Sequence, residues 1–148
     1  MIHDSLLLLS DAQAVSSTGY STNTIDLGNV TPKREIATGE PMEVVITVDT
    51  AADTASGNET YQFNFVQSAN ANLTSDDDLV TRIIAGSALT AGSVHRLPVP
   101  AGSVTKRYIG LEYVLGGTTP SVTVTAFLQP AAMGESPKTY YADGITIS

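Results

Sequence analysis

Few side chains in this sequence are suited to catalysis. The chain of 148 residues contains two histidines and no cysteine, which excludes thiol catalysis, disulfides and thiolate metal sites. His3 lies in the first few residues, where chain ends are usually loosely held, and His95 stands beside Arg96. No G-x-S-x-G sequence marks a serine nucleophile. The sequence therefore predicts a protein that is not an enzyme, with no catalytic residue and no cofactor.

The densest group of carboxylates is the run Asp76, Asp77 and Asp78. Its functional interpretation is a Ca²⁺ site, since Ca²⁺ takes oxygen ligands. The D-x-[DN]-x-[DN]-G spacing of a calcium loop is absent, and consecutive aspartates rarely all point inward. A solvated loop before the next element is the favoured interpretation. The sequence thus predicts no metal site, and leaves open whether Asp76–Asp78 binds a cation.

The charge balance limits the classes of partner. Seven Lys and Arg residues against 15 Asp and Glu residues give a net charge of -8. A chain this acidic lacks the basic surface that binds nucleic acid or anionic membranes. The apolar start Leu6–Leu9 is shorter than the roughly 7–15 residues of a secretory signal or the about 20 of a membrane span. We therefore expect no nucleic-acid partner, no membrane partner and synthesis in a cytoplasm.

Alternation of apolar and polar residues predicts four strands, around residues 43–49, 60–67, 107–115 and 121–128. In the first of them Glu43, Thr47 and Asp49 are expected to face water. The residues predicted to share the buried faces are Val44, Ile46 and Val48; Tyr61, Phe63 and Phe65; Ile109, Leu111, Tyr113 and Leu115; and Val122, Val124, Ala126 and Leu128.

Weaker patterns add further strands. Residues 6–9, 25–27 and 145–147 are candidates, and 79–84 fits either a strand or a helix, with the strand favoured. Pro98 and Pro100 restrict the segment 94–99 to an edge strand or a strand end, and Gly116-Gly117 predicts a hairpin connection. Eight or so short strands indicate an all-β fold: a single-domain antiparallel β-sandwich of jelly-roll type over residues 1–130. Residues 131–148 are expected to form a C-terminal segment, an extended arm that packs on a partner.

Candidate interface residues follow from the alternation. Tyr108 and Phe127 fall opposite the aliphatic residues of their strands, and exposed aromatic residues are enriched at protein interfaces. Cover by a loop or by the second sheet is the alternative for both. Lys106 and Arg107 form one of the two basic pairs, the other being Lys33-Arg34, and are expected to make surface or interface salt links. Tyr140 and Tyr141 are the candidate contacts in the C-terminal segment.

Residues 88–128 resemble the capsid cement (decoration) proteins of tailed bacteriophages, of the type known from a Bordetella phage. The resemblance is carried by LTAG at 89–92, LPVP at 97–100, RYIGLEYVLGG at 107–117 and TVTA at 123–126. The segments LLLLSDAQAV at 6–15, STNTIDLG at 21–28 and GEPMEVVITVDT at 39–50 are similar to the earlier part of the same family. The resemblance extends to about residue 130.

The resemblance implies a structural virion protein that binds the outside of the assembled head. It would bridge subunits of the major capsid protein and stabilise the shell against the pressure of packaged DNA. It implies a place on the outer surface of the capsid, synthesis in the host bacterial cytoplasm, and self-association, with a dimer favoured and a trimer as the alternative. A carbohydrate-binding β-sandwich module of a tail or cell-surface protein is the rival hypothesis. The absence of Trp weighs against it.

Overall fold

The computed structural model describes residues 5–28 and 41–131. His3, Lys33-Arg34, the candidate strand 145–147, Tyr140 and Tyr141 lie outside the described residues, as does all of the predicted C-terminal segment except Ala131. The described part has nine strands and two 3₁₀ turns, at Ser5–Leu7 and Gly86–Ala88. The strands are β1 (Leu8–Val15), β2 (Gly19–Tyr20), β3 (Ile25–Asp26), β4 (Met42–Thr50), β5 (Thr60–Ser68), β6 (Asp77–Ile84), β7 (Val94–Val99), β8 (Tyr108–Gly116) and β9 (Val122–Pro130).

The strands form two antiparallel sheets that pack face to face. The first sheet has the order β1-β9-β4-β7, and the second has the order β2-β8-β5-β6, with β3 also pairing with β8. Because β2 and β3 occupy the same edge, each sheet has four strand positions. The connections β4–β5, β6–β7, β7–β8 and β8–β9 each cross from one sheet to the other. This is the strand order of a jelly roll. The predicted all-β sandwich is confirmed.

The core lies between the sheets and is built by alternate residues of the long strands. Each fully buried Val, Leu, Ile or Phe side chain stabilises the fold by roughly 1.5–3 kcal/mol relative to the same side chain exposed to water. Phe63 and Tyr113 meet edge to face, with their ring centroids 5.8 Å apart. The predicted buried residues are confirmed except Leu115, which is half-buried: Val44, Ile46, Val48, Tyr61, Phe63, Phe65, Ile109, Leu111, Tyr113, Val122, Val124, Ala126 and Leu128.

A buried polar link ties the two sheets together. The hydroxyl oxygen of Tyr113 on β8 lies 2.6 Å from Ser10 Oγ on β1, and Ser10 Oγ donates to Gln13 Oε1 at 2.6 Å. Because Ser10 has one hydroxyl hydrogen, the Tyr113 hydroxyl is the donor in the first bond. Burial raises the pKa of the Tyr113 phenol well above its ordinary range, so it keeps this proton.

The connections differ from the sequence-based expectation in one place. Gly116 and Gly117 end β8, but β8 and β9 lie in different sheets, so the predicted hairpin is wrong and the chain crosses the sandwich there. Gly117 has a φ of +99°, and a Cβ on it would lie 2.6 Å from the Asn58 carbonyl oxygen. Glycine is thus required by the crossing as it would be by a hairpin.

Of the weaker strand candidates, 79–84 and 94–99 are confirmed, and 25–27 is confirmed over Ile25–Asp26. The candidate 6–9 is a strand only from Leu8, because Ser5–Leu7 forms a 3₁₀ turn. Residues 79–84 lie on β6, and β7 is the edge of the first sheet, as Pro98 requires. No helix of the described residues has the length and apolar character needed to cross a membrane.

Removal of the inter-sheet hydroxyl should weaken the fold. Tyr113→Phe is expected to lower the free energy of unfolding by about 1–2 kcal/mol, because Ser10 Oγ stays buried after losing a hydrogen bond. Urea unfolding at neutral pH measures the loss. Tyr108→Phe, at a half-buried tyrosine of the same strand, is the matched control and should change stability by less than about 0.5 kcal/mol. Equal losses in the two variants would contradict the role given to the buried bond.

Candidate functional site

Three of the predicted interface residues lie together and one lies apart. Lys106, Arg107 and Tyr108 are consecutive at the start of β8 in the second sheet, whereas Phe127 is on β9 in the first. We call residues 106–108 the β8 entry. The structure therefore separates Phe127 from the three residues that are already neighbours in the sequence.

The basic residues of the β8 entry are paired within the chain. Lys106 Nζ lies 2.7 Å from Asp77 Oδ2. Arg107 binds Asp26 in a bidentate manner, from Nε at 2.7 Å and Nη2 at 2.9 Å. The same guanidinium lies over the Tyr108 ring, 4.9 Å from its centroid. The predicted salt links are confirmed, and this surface carries alternating charge around one half-buried aromatic ring.

A buried glutamine fixes the approach to the β8 entry. Gln67 on β5 accepts backbone N–H bonds from Thr105 at 2.7 Å and Lys106 at 3.0 Å. Leu27 donates its backbone N–H to the Arg107 carbonyl at 2.9 Å. Because these bonds hold the main chain on both sides, the side chains of residues 106–108 start from a rigid backbone.

Phe127 is not an exposed docking residue, and that prediction is wrong. It faces away from the core but is only 3% exposed. In register it lies between Leu8 on β1 and Val45 on β4, and Val45 is itself fully buried. Apolar side chains on both neighbouring strands thus pack beside it, and Phe127 stabilises the first sheet.

Glu43 on the same outward side of the first sheet also departs from expectation. It was predicted to face water, but it is 8% exposed and forms an ion pair with Arg96. Gln129, 4% exposed, donates from Nε2 to Glu43 Oε1 at 3.0 Å. The pairing of β4 with both β7 and β9 brings these groups together, and a buried carboxylate needs such partners.

A second polar cluster lies on the outward side of the second sheet. Carboxylate oxygens of Asp76, Asp78 and Glu112 lie within 4.8 Å of one another, and we call these residues the carboxylate cluster. Tyr20 donates its hydroxyl to Asp76 Oδ1 at 3.3 Å, and Asn64 Nδ2 donates to Glu112 Oε2 at 2.8 Å. These three acids could contact a metal ion, although Asp78 is exposed and clustered surface acids are common without one.

The connection between β5 and β6 brings Asp76 to this cluster. Residues 69–76 fold back over the outward side of the second sheet, where Leu73 is 1% exposed. Leu73 occupies the space that a side chain on Gly110 would fill, since a Cβ there would lie 2.5 Å from Leu73 Cδ1. Thr24 Oγ1 donates to the Ala71 carbonyl at 3.2 Å. We call residues 69–76 the β5–β6 loop.

The β5–β6 loop is held at some backbone cost. Leu73 and Ser75 have φ of +62° and +55°, in the left-handed region that costs a non-glycine residue roughly 1 kcal/mol or more. The Ser68 hydroxyl donates to the Thr74 carbonyl at 2.7 Å. Burial of Leu73 and these hydrogen bonds offset the cost, so the loop is fixed by packing and not by backbone preference.

The electrostatics of the cluster follow from its crowding. Partial desolvation, together with the charges of Asp76 and Asp77, raises the pKa of Asp78 above its usual range. Burial and the nearby carboxylates of Asp76 and Glu112 raise the pKa of Tyr20.

His95, on β7 of the first sheet, lies away from this cluster. His95 Nε2 lies 3.1 Å from Ser93 Oγ. Burial lowers the pKa of His95, as does the charge of Arg82.

Sequence analysis missed Glu112 and Tyr20 as neighbours of the acidic run. Tyr20 pairs with Glu112, and Glu112 pairs with Asn64, across three strands. These contacts depend on strand register between distant segments, which local alternation does not carry.

Truncation of the loop anchor should release the β5–β6 loop. Leu73→Ala is expected to lower the free energy of unfolding by about 2 kcal/mol, at the low end for a buried leucine because the site is near the surface. Leu6→Ala, at a leucine that is 68% exposed, is the control and should cost below about 0.5 kcal/mol. Chemical denaturation of both variants measures the difference. No difference between them would mean that Leu73 does not anchor the loop.

The chain was also compared with known proteins. A protein-family model described as Bbp16 matches residues 9–128. The matched range contains the strands β2–β8 in full, β1 except Leu8, and β9 except its last two residues. No curated protein matches the chain. The name is consistent with the resemblance to a Bordetella phage protein.

Proposed function

The chain belongs to the Bbp16 family, and on that premise we propose that it is a structural virion protein that cements a phage capsid. In this proposal it binds the outside of the assembled head, bridges subunits of the major capsid protein and stabilises the shell against internal DNA pressure. The observation that carries the proposal is the family match, which spans nearly the whole described sandwich.

The physical basis of such cementing is mass action. A protein that binds only the assembled shell stabilises it by about 4 kcal/mol when present at 1,000 times its dissociation constant. Each bound copy must also resist deformation, or bridged subunits could drift apart. A sandwich with a continuous buried core of aromatic and aliphatic residues suits this requirement, because close-packed interiors are stiff.

The charge supports an outer position on the capsid. At a net charge of -8 the protein would be repelled by packaged DNA, which is itself a polyanion. The proposal therefore places it on the outer surface of the virion after synthesis in the host bacterial cytoplasm, with no nucleic-acid or membrane partner.

Self-association is part of the proposal, with a dimer favoured over a trimer. Among the long edge strands of the described sandwich, β1 is interrupted by two register shifts, and β7 carries Pro98. Both features discourage pairing with a further strand. β6 exposes 73% of Ile83 at its edge of the second sheet, so it is the edge best suited to contact a second copy.

The rival hypothesis is a carbohydrate-binding module of a tail or cell-surface protein. Sugar sites commonly need an open aromatic face, and Arg107 lies over a face of the Tyr108 ring. This contact weighs against Tyr108 as a sugar platform. Saturable binding to a glycan array, lost in Tyr108→Ala, would favour the rival.

Co-sedimentation with phage heads tests the cementing proposal. The protein is expected to pellet with expanded heads, to saturate at a fixed number of copies per shell and to raise the temperature at which the shells break. Unexpanded shells should bind far less, because their subunit joints have another geometry. Equal recovery with expanded heads, unexpanded shells and no shells would refute the proposal.

The β8 entry is the surface we expect to contact the shell. The double substitution Arg107→Ala with Tyr108→Ala should weaken binding to expanded heads about tenfold or more, the effect of losing about 1.4 kcal/mol at an interface. Asp11→Asn on β1 serves as the control, and circular dichroism checks that both proteins fold. Wild-type affinity in the folded double variant would exclude the β8 entry from the interface.

A further inference from the structure

The β5–β6 loop is subject to two opposed forces. Leu73, buried over Gly110, draws the loop onto the second sheet. At the end of the same loop, Asp76 is brought within 4.8 Å of the carboxylate oxygens of Asp78 and Glu112. Like charges at this distance repel, and the repulsion is stronger where the protein shields them from water and salt.

The cluster has incomplete compensation in the described structure. Lys106 is the nearby cation, and its ammonium group is paired with Asp77. Tyr20 and Asn64 donate one hydrogen bond each, to Asp76 and Glu112. Asp76 Oδ2 is shielded from solvent without a hydrogen-bond partner. The docked loop therefore places a carboxylate where its charge is less well solvated than in the released loop.

We propose that the β5–β6 loop is a charge-controlled clasp, held on the second sheet by Leu73 against the repulsion of Asp76, Asp78 and Glu112, so that neutralising this cluster tightens it. The groups that face Asp78 are Asp76 on the loop, Asp77 on β6, Glu112 on β8 and Tyr20 on β2, with Lys106 engaged by Asp77. None of the three ion pairs of the described residues includes Asp76, Asp78 or Glu112, so protonation of the cluster removes repulsion without breaking an ion pair.

The direction of the pH response follows from linkage. The pKa of Asp78 is raised in the folded protein by partial desolvation and by its acidic neighbours, so its ionised form disfavours the docked loop. This penalty is present at neutral pH and fades as the pH falls through the folded pKa toward the ordinary aspartate value of about 3.9. The loop should tighten on acidification, in contrast to segments held by ion pairs such as Arg107–Asp26.

Hydrogen exchange on the full chain tests the clasp at the loop itself. Protection of residues 69–76, corrected for the intrinsic exchange rate at each pH, is expected to rise several-fold from pH 7 to pH 4, the window that contains the raised pKa of Asp78 and reaches the ordinary aspartate value. Asp78→Asn should show the higher protection already at pH 7 and a flat profile. It is a mild change, because Asp78 is exposed.

The control keeps the net charge of that variant. Asp11→Asn, an exposed position on β1 of the first sheet, should retain the wild-type pH profile. Loop protection that falls or stays constant from pH 7 to pH 4 would overturn the proposal. Identical loop protection in Asp78→Asn and Asp11→Asn would overturn it as well. Leu73→Ala, if folded, should lower loop protection at both pH values, and unchanged protection would show that the loop is held by something other than this anchor.

Discussion

The burial of alternate side chains between two sheets is the constraint on which the rest of this structure depends. Each long strand turns one row of side chains inward, and the rows from β4, β5, β8 and β9 fill a single core. Once that core fixes the register, the outward rows are fixed with it, because the side-chain period of a strand is two. The carboxylate cluster and the triad of Glu43, Arg96 and Gln129 are therefore consequences of packing on the opposite side of the same strands.

The sequence was sufficient to predict which side chains face the core. It was insufficient to predict which of the outward-facing side chains are buried. Val44, Ile46 and Val48 could be identified because alternation is local and needs no knowledge of neighbours. Phe127 and Glu43 could not, since their burial depends on which residues flank them on other strands. Glycine pairs such as Gly116-Gly117 report a tight change of direction, and the same chemistry serves a hairpin or a crossing between sheets.

The candidate sites show the same division. Lys106 and Arg107 were recognisable as a basic pair in an acidic chain, and both do form salt links. Their partners, Asp77 and Asp26, lie far away in sequence and are chosen by the pairing of β8 with β3 and by the approach of β6. Asp76–Asp78 was visible as a run, but the acid that completes the cluster, Glu112, comes from another strand. A residue's type is local information, whereas its electrostatic environment is a property of the fold.

The neighbour relation of β1 and β9 has a consequence for how the protein comes into being. Ala12 on β1 and Thr125 on β9, which share a hydrogen bond, are separated by 113 positions along the chain. β1 is thus synthesised long before β9, the strand that joins it to the rest of its sheet. Contacts so distant in sequence slow folding. Until they form, the apolar side chains of β1 are exposed and can aggregate.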